Sequence, residues 1–269
     1  MCSLEVARLL CSDQDVKKVL SMYFPDLMSR VGIRLPKLSP CDAHLNYAYR
    51  IVVLLSLLNE FVRCGGEFTT YTISGTSLSR GDVIDLTPIV PNTATTDLDL
   101  ALKRLIPVAT VELGGRSFSI WYSTLYPCTL SPSIVDILVV PCTATLEVSY
   151  HGSQPIVYWV STIDEEGRKL PMACVVRSLR PDSVFQYFTY VVPSWSMKHV
   201  VIWCQCTRPS RRRIDLLIKF SEANPRGCIA VAPPGVDVPR VEAVYYLQDS
   251  GDLEYLRSQL LSSVRRLLR

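Results

Sequence analysis

An Asp behind a Pro, Pro181-Asp182, opens one apolar run of this sequence, and Gln205-Cys206-Thr207 closes the next. A carboxylate and an amide oxygen drawn from two neighbouring strands would hold a divalent cation over a phosphate ester. The same residues serve equally well as a turn Asp and the polar end of a strand. Immediately beyond lies RPSRRR, whose Arg208, Arg211, Arg212 and Arg213 stand at a strand-to-helix junction. Guanidinium forks there take phosphate oxygens, helped by backbone N–H groups at the helix start, or form a solvated basic loop. Lys219 follows on the same helix and reads most simply as a solvated residue, unless its side chain turns back toward the strand end.

The elements that would position these residues follow from the pattern of apolar residues. Residues 1–33 look helical, with Asp13 as an N-cap and Val16, Val19, Leu20, Phe24 and Leu27 on one face, and Pro25 limits or kinks the helix. From Asp42 to Cys64 a second helix is apolar nearly all round, which predicts burial against a sheet, and Gly65-Gly66 ends it. A polar Thr/Ser/Gly segment follows, Thr69 to Ser79, and Thr96 can cap a short helix over Asp97 to Leu105.

From Val108 the texture becomes β. Runs at 108–113, 117–124, 134–140, 144–149, 156–163, 171–177, 183–192 and 199–206 are rich in Val, Ile, Tyr and Thr, with turn residues between them. The near-continuous apolar HVVIW predicts a central strand over Val200 to Cys206, covered on both faces. The tail alternates: RRRIDLLIKFSEA is a helix with Ile214, Leu217 and Ile218 inward, GCIAVAPPG and VEAVYYL are strands, and GDLEYLRSQLLSSVRRLL is a helix with Leu253, Leu256, Leu260 and Val264 inward. The fold class is therefore mixed α/β (α+β). A helical segment over 1–40 precedes a β-rich α/β domain over 41–269, its core best supported from 171 to 269.

This β-α-β-β-α tail, entered from an Arg-Pro-Asp strand, resembles the PD-(D/E)xK restriction-endonuclease-like superfamily. The resemblance covers the last 90 residues or so best, with a looser echo of McrC-like restriction subunits in NYAYRIVVLLSLLNEF and FSIWYSTLYP. It implies a mixed sheet flanked by helices, with an Asp near the start of one strand converging on a Glu-x-Lys of the next. Acidic oxygens there hold Mg²⁺, and the Lys orients the attacking water. On that pattern the metal ligands are Asp182 and Gln205, the latter a substitution seen in the Mrr-like branch. Thr207 stands where the Lys belongs, so Lys219 becomes the catalytic cation only if it is displaced onto the helix, and Glu60 is a candidate upstream acid. The resemblance implies DNA as a partner, and an ATPase or GTPase subunit as a protein partner.

Composition narrows the choice only modestly. The chain has 269 residues, 48% hydrophobic and 20% charged, and a net charge of +3, which carries no strong polyanion signature. Its 28 basic residues are 21 Arg and 7 Lys, a choice that codon bias explains as readily as phosphate recognition does. Few Asn and Gln and many Pro hint at a hyperthermophile. Ten Cys lack any CxxC pair, so free buried thiols are expected, or intracellular disulfides if the source is a hyperthermophile. The run IVVLLSLL is too short for a bilayer, which reads as an intracellular, cytoplasmic protein without a membrane partner.

His44, His151 and His199 have no metal-site spacing, Asp164-Glu165-Glu166 reads as a hairpin tip, and Asp97 with Asp99 lacks the Gly-Ser strand of a nucleotidyltransferase. Three functions follow: a DNA-associated protein with a degenerate nuclease-like domain used for binding or assembly, an active Mg²⁺-dependent DNA endonuclease with a rearranged site, or a structural subunit of a larger assembly such as a viral one. The first needs no cofactor, and the second needs Mg²⁺.

Overall fold

The computed structural model describes residues 2–12, 14–74, 77–87, 94–128, 133–193, 195–249 and 252–269. The N-terminal segment forms three short helices, α1 (Ser3–Leu10), α2 (Val16–Tyr23) and α3 (Pro25–Met28), followed by strand β1 (Gly32–Arg34). Asp13 lies outside the described residues. Asp15 caps α2 instead, its Oδ1 accepting from the Lys17 N–H at 3.0 Å. Val6, Ala7, Leu10, Val19, Leu20, Phe24 and Leu27 are all buried in the core that contains α4 (Asp42–Arg63).

The long helix α4 ends as its sequence requires. Gly65 takes φ +83°, its N–H bonds the Val62 carbonyl, and the Gly66 N–H bonds the Phe61 carbonyl, closing a Schellman turn. By length and composition α4 could cross a membrane, yet 78% of its most apolar window is buried inside the protein. It is apolar all round because α1, α3 and α7 (Leu253–Leu267) pack on it and a sheet lies beneath.

Next come β2 (Glu67–Ser74), β3 (Ser77–Gly81), β4 (Val83–Asp85), β5 (Ala94–Thr95), α5 (Leu98–Leu102), β6 (Ala109–Leu113), β7 (Arg116–Leu125) and β8 (Ile134–Val140). The polar segment at 69–79 is thus mostly strand: β2 and β3 pair antiparallel, with Thr and Ser on a half-exposed ladder that hydropathy alone does not reveal. Asp97, rather than Thr96, caps α5, its Oδ1 accepting from the Asp99 N–H at 2.8 Å.

The chain continues through β9 (Thr143–His151), β10 (Gln154–Ile163), β11 (Lys169–Arg177), β12 (Tyr187–Val191), β13 (Val200–Cys204), α6 (Arg211–Ala223), β14 (Cys228–Ala232), β15 (Val244–Gln248) and α7. The principal sheet has the order β15-β14-β13-β8-β7-β6-β2-β3. In it β13 runs parallel to β14 and antiparallel to β8, and every residue of β13 is buried. Its alternation explains why. Val200, Ile202 and Cys204 join the core beneath α4, whereas Val201 and Trp203 join Leu217 and Phe220 of α6 on the opposite face. Ile218 of α6 is exposed rather than inward, because Leu217, Phe220 and Ser221 form the buried stripe.

β9 to β12 do not extend this sheet. They build a second sheet, β5-β12-β11-β10-β9, which closes a separate apolar cluster with α5. β8 and β13 are therefore neighbours in space, with β9 to β12 of this second sheet inserted between them in sequence.

Candidate functional site

Antiparallel pairing sets the first residues of β8 beside the last residues of β13: Ile137 lies opposite Ile202, so Asp136 falls next to the strand's end at Cys204, two residues short of the expected Cys206 and just before Gln205. Asp136 is 3% exposed and the sole charged residue of β8. Arg213, three residues into α6 on the cap formed by Ser210, donates from Nη1 to Oδ1 at 3.1 Å and from Nη2 to Oδ2 at 2.6 Å. The Cys204 N–H adds a bond to Oδ2 at 2.9 Å, and Arg50 of α4 brings its Nε to 3.4 Å of Oδ1. Burial pushes the Asp136 carboxyl up, but Arg213 and Arg50 outweigh it and hold the carboxyl below its ordinary value.

The rest of the constellation locks this pair. Arg213 also donates from Nε to Gln205 Oε1 at 3.3 Å and from Nη2 to the Cys204 carbonyl at 3.0 Å, and its guanidinium lies 4.9 Å from the Trp203 ring centroid. Asn46 of α4 accepts from the Cys206 N–H at 3.0 Å and donates to Thr207 Oγ1 at 2.5 Å. The strand end is thereby tied to both flanking helices.

The sequence-derived site is rearranged accordingly. Asp182 sits exposed on the turn between β11 and β12, closed by the Ser183 N–H to the Arg180 carbonyl, and belongs to the second sheet. It is not brought to Gln205, because the strand preceding β13 in sequence is not its neighbour in the sheet. Gln205 is buried, with its Nε2 donating to the Thr207 carbonyl at 3.1 Å. Lys219 is exposed about 9 Å further along α6 than Arg213, at 1.5 Å per residue. Glu60, ten residues beyond Arg50 on α4, pairs with Arg63. Arg208, Arg211 and Arg212 are exposed, but Arg213 faces inward and is a partner of Asp136 rather than a free phosphate ligand.

These residues do not fit a divalent ion. Both Asp136 oxygens accept from a guanidinium, the Gln205 carbonyl oxygen faces Arg213, and the immediate charges are two positive and one negative. Among the described residues, no group of three or more His, Cys, Asp or Glu is placed to hold a metal ion. The missed residue left a signal in the sequence: Asp136 is a lone charge in the otherwise apolar IVDILVV, and a charge inside a buried strand must be paired. Arg50 in NYAYRIVVLL carries the same signal on a helix.

No family model, no curated protein and no solved structure matches this chain.

Proposed function

We propose that this chain is a DNA-associated protein whose nuclease-like core serves binding or assembly rather than cleavage. The observation that carries the reading is the clamp on Asp136. A carboxylate near the start of one strand, beside a Gln-x-Thr at the end of its neighbour, is the arrangement of the PD-(D/E)xK resemblance with Asp136 in the place first read as Asp182. An arginine occupies the carboxylate where that family would hold its metal. The exposed Arg208, Arg211 and Arg212 lie at the same end of β13 and supply the phosphate-facing charge. Free thiols throughout, six of the ten buried, fit a reducing cytoplasmic setting for this reading.

The experiment is hydrolysis of linear and branched DNA with Mg²⁺ and with Mn²⁺, alongside binding of the same DNA at two salt concentrations. Salt-sensitive binding without cleavage is expected. Cleavage abolished by Asp136→Ala would instead establish an active, rearranged nuclease.

A second reading, a subunit that makes protein contacts, rests on Leu179, Val184 and Phe185, which project from the β11–β12 connection at 64%, 76% and 42% exposure. Sedimentation of the parent against Leu179→Ser/Val184→Ser tests it: self-association lost in the variant supports it, and a parent that remains monomeric at high concentration removes a second copy as the partner.

A further inference from the structure

Beside the clamped acidic residue lie buried polar atoms that no described residue satisfies. Arg104 follows α5 on a turn pinned to β7 from both sides. The Thr124 hydroxyl donates to the Arg104 carbonyl, and Trp121 Nε1 donates to the Leu105 carbonyl at 2.8 Å. Between those two anchors stand Tyr122 and Ser123, and Ser123 takes φ +50°, a left-handed conformation costly for any residue but Gly. The strain sits on the residue directly across the sheet from Asp136, where the flanking pairs are Tyr122 with Ile137 and Thr124 with Val135.

Two buried atoms here have no hydrogen-bond partner among the described residues, Arg104 Nη1 and the Tyr122 hydroxyl; the nearby Arg50 Nε is spoken for by its ion pair with Asp136. Tyr122 is 8% exposed, so its hydroxyl meets little bulk water. Tyr47 of α4 packs edge-on against Tyr122 at 5.9 Å, and its own hydroxyl donates to the Leu86 carbonyl at 2.5 Å, leaving its oxygen as an acceptor only. Burial pushes the Tyr47 phenol up, and Tyr122, Arg104 and Arg50 only partly oppose it. Burial pushes the Arg104 guanidinium down, and the groups acting against that are two tyrosines, not a carboxylate. Its sequence neighbour Lys103 differs: its Nζ bonds Asp85 Oδ2 at 2.7 Å and Thr87 Oγ1 at 2.6 Å.

Tyr47, Arg104, Tyr122 and Ser123 line one side of a cavity of 20 Å³, room for one oxygen-sized group, and the Asp85 carboxylate on its other side is neutralised by Lys103. It shares Asp85, Lys103 and Val108 with a neighbouring pocket of 370 Å³, a size that takes a small organic ligand. Unpaired guanidinium and hydroxyl donors around a cavity for one oxygen, opening beside a larger one, match a tetrahedral oxyanion that inserts one oxygen and leaves its ester in the larger space.

We infer that Arg104, with the Tyr122 hydroxyl, forms a receptor for a phosphate monoester. The site stands apart from the Arg208–Arg212 surface and holds whether or not the chain binds DNA there. Its phosphate comes either from a free nucleotide or from the 5′ end of a strand, two sources with one chemistry.

Binding of inorganic phosphate, a nucleoside monophosphate, and matched oligonucleotides with 5′-phosphate or 5′-hydroxyl ends is measured by calorimetry and ³¹P line broadening, in the full chain, Arg104→Gln and Tyr122→Phe. The parent should bind phosphate, and Arg104→Gln should bind it about tenfold or more weakly, the usual consequence of losing a charge-assisted bond. Preference for the 5′-phosphorylated strand assigns the source to a strand end, and preference for the monophosphate assigns it to a nucleotide. If Arg104→Gln fails to fold, Tyr122→Phe decides, since it deletes one unsatisfied oxygen and should bind phosphate more weakly without losing stability. A parent that binds none of these probes, or variants that bind them as tightly as the parent, would overturn the inference. DNA binding that fails while phosphate binding persists would remove the proposed function and leave this site standing.

Discussion

Arg213 meets both oxygens of Asp136, whose side chain is almost fully buried, so deleting the arginine leaves a buried carboxylate without its main partner. Arg213→Ala should therefore cost about 3–5 kcal/mol, whereas replacing both by apolar residues of similar size should cost much less. Asp182→Ala, at an exposed turn, should stay within about 0.5 kcal/mol of the parent. Urea titration of the four proteins checks this, and a mild Arg213→Ala would show the pair to be solvated. The sign of the pH dependence follows from the depressed Asp136 carboxyl. Its contribution is complete above the unfolded value of about 3.9 and is lost as pH falls through the lower folded value. His199 acts earlier. Buried, with its ring bonded to the Tyr126 hydroxyl at 2.8 Å and the Met197 carbonyl at 2.6 Å, it titrates at about 4. Between about pH 6.5 and 4 the unfolded chain binds the proton and the folded one does not, so stability should fall with pH across that window. Thermal melts of the parent and His199→Gln over this range should converge as acid is added.

At the level of the element, α6 divides its basic start into two kinds of arginine. Arg211 and Arg212 face solvent with Arg208 of the preceding loop, and Arg213 turns beneath to hold the sheet. On the proposed function, Arg208→Ala/Arg211→Ala/Arg212→Ala should weaken DNA binding and reduce the salt slope by up to about 3, roughly 0.9 per phosphate contact, with no loss of fold. An unchanged slope would place the contact surface elsewhere. Adding Arg213→Ala to that variant should affect stability instead of the slope.

At the level of the whole molecule, α4 is covered by α1, α3 and α7, so the apolar helix is safe only while its neighbours remain. Removing residues 1–12 would uncover the side chains that Val6, Ala7 and Leu10 now shield, a patch of the kind that drives association. Light scattering and melting of the truncated chain should show aggregation and a lowered Tm; a monodisperse, equally stable product would mean that α1 is dispensable.

Local pattern was enough for most of the elements. The helix at 211–223, the fully buried β13, and the strands β6 to β11 follow from hydrophobic period, turn residues and length, all properties of a few consecutive residues. The inward face of α7 was legible for the same reason: Leu253, Leu256, Leu260 and Val264 repeat at helical spacing. What the chain order concealed was the partner of β13. A strand's edges accept any antiparallel neighbour of matching burial, and the choice of β8 over β12 rests on which pairing lets Val201 and Trp203 share a core with α6 while Val200 and Ile202 lie under α4. That choice moved the candidate acid from Asp182 to Asp136, turned Arg213 from a surface ligand into its clamp, and brought Arg50 and Asn46 from a helix more than 150 residues away. Residue types announce that a buried charge needs a partner; only packing decides which one it receives, because the energy of that pairing depends on distance and burial, which are made by the fold.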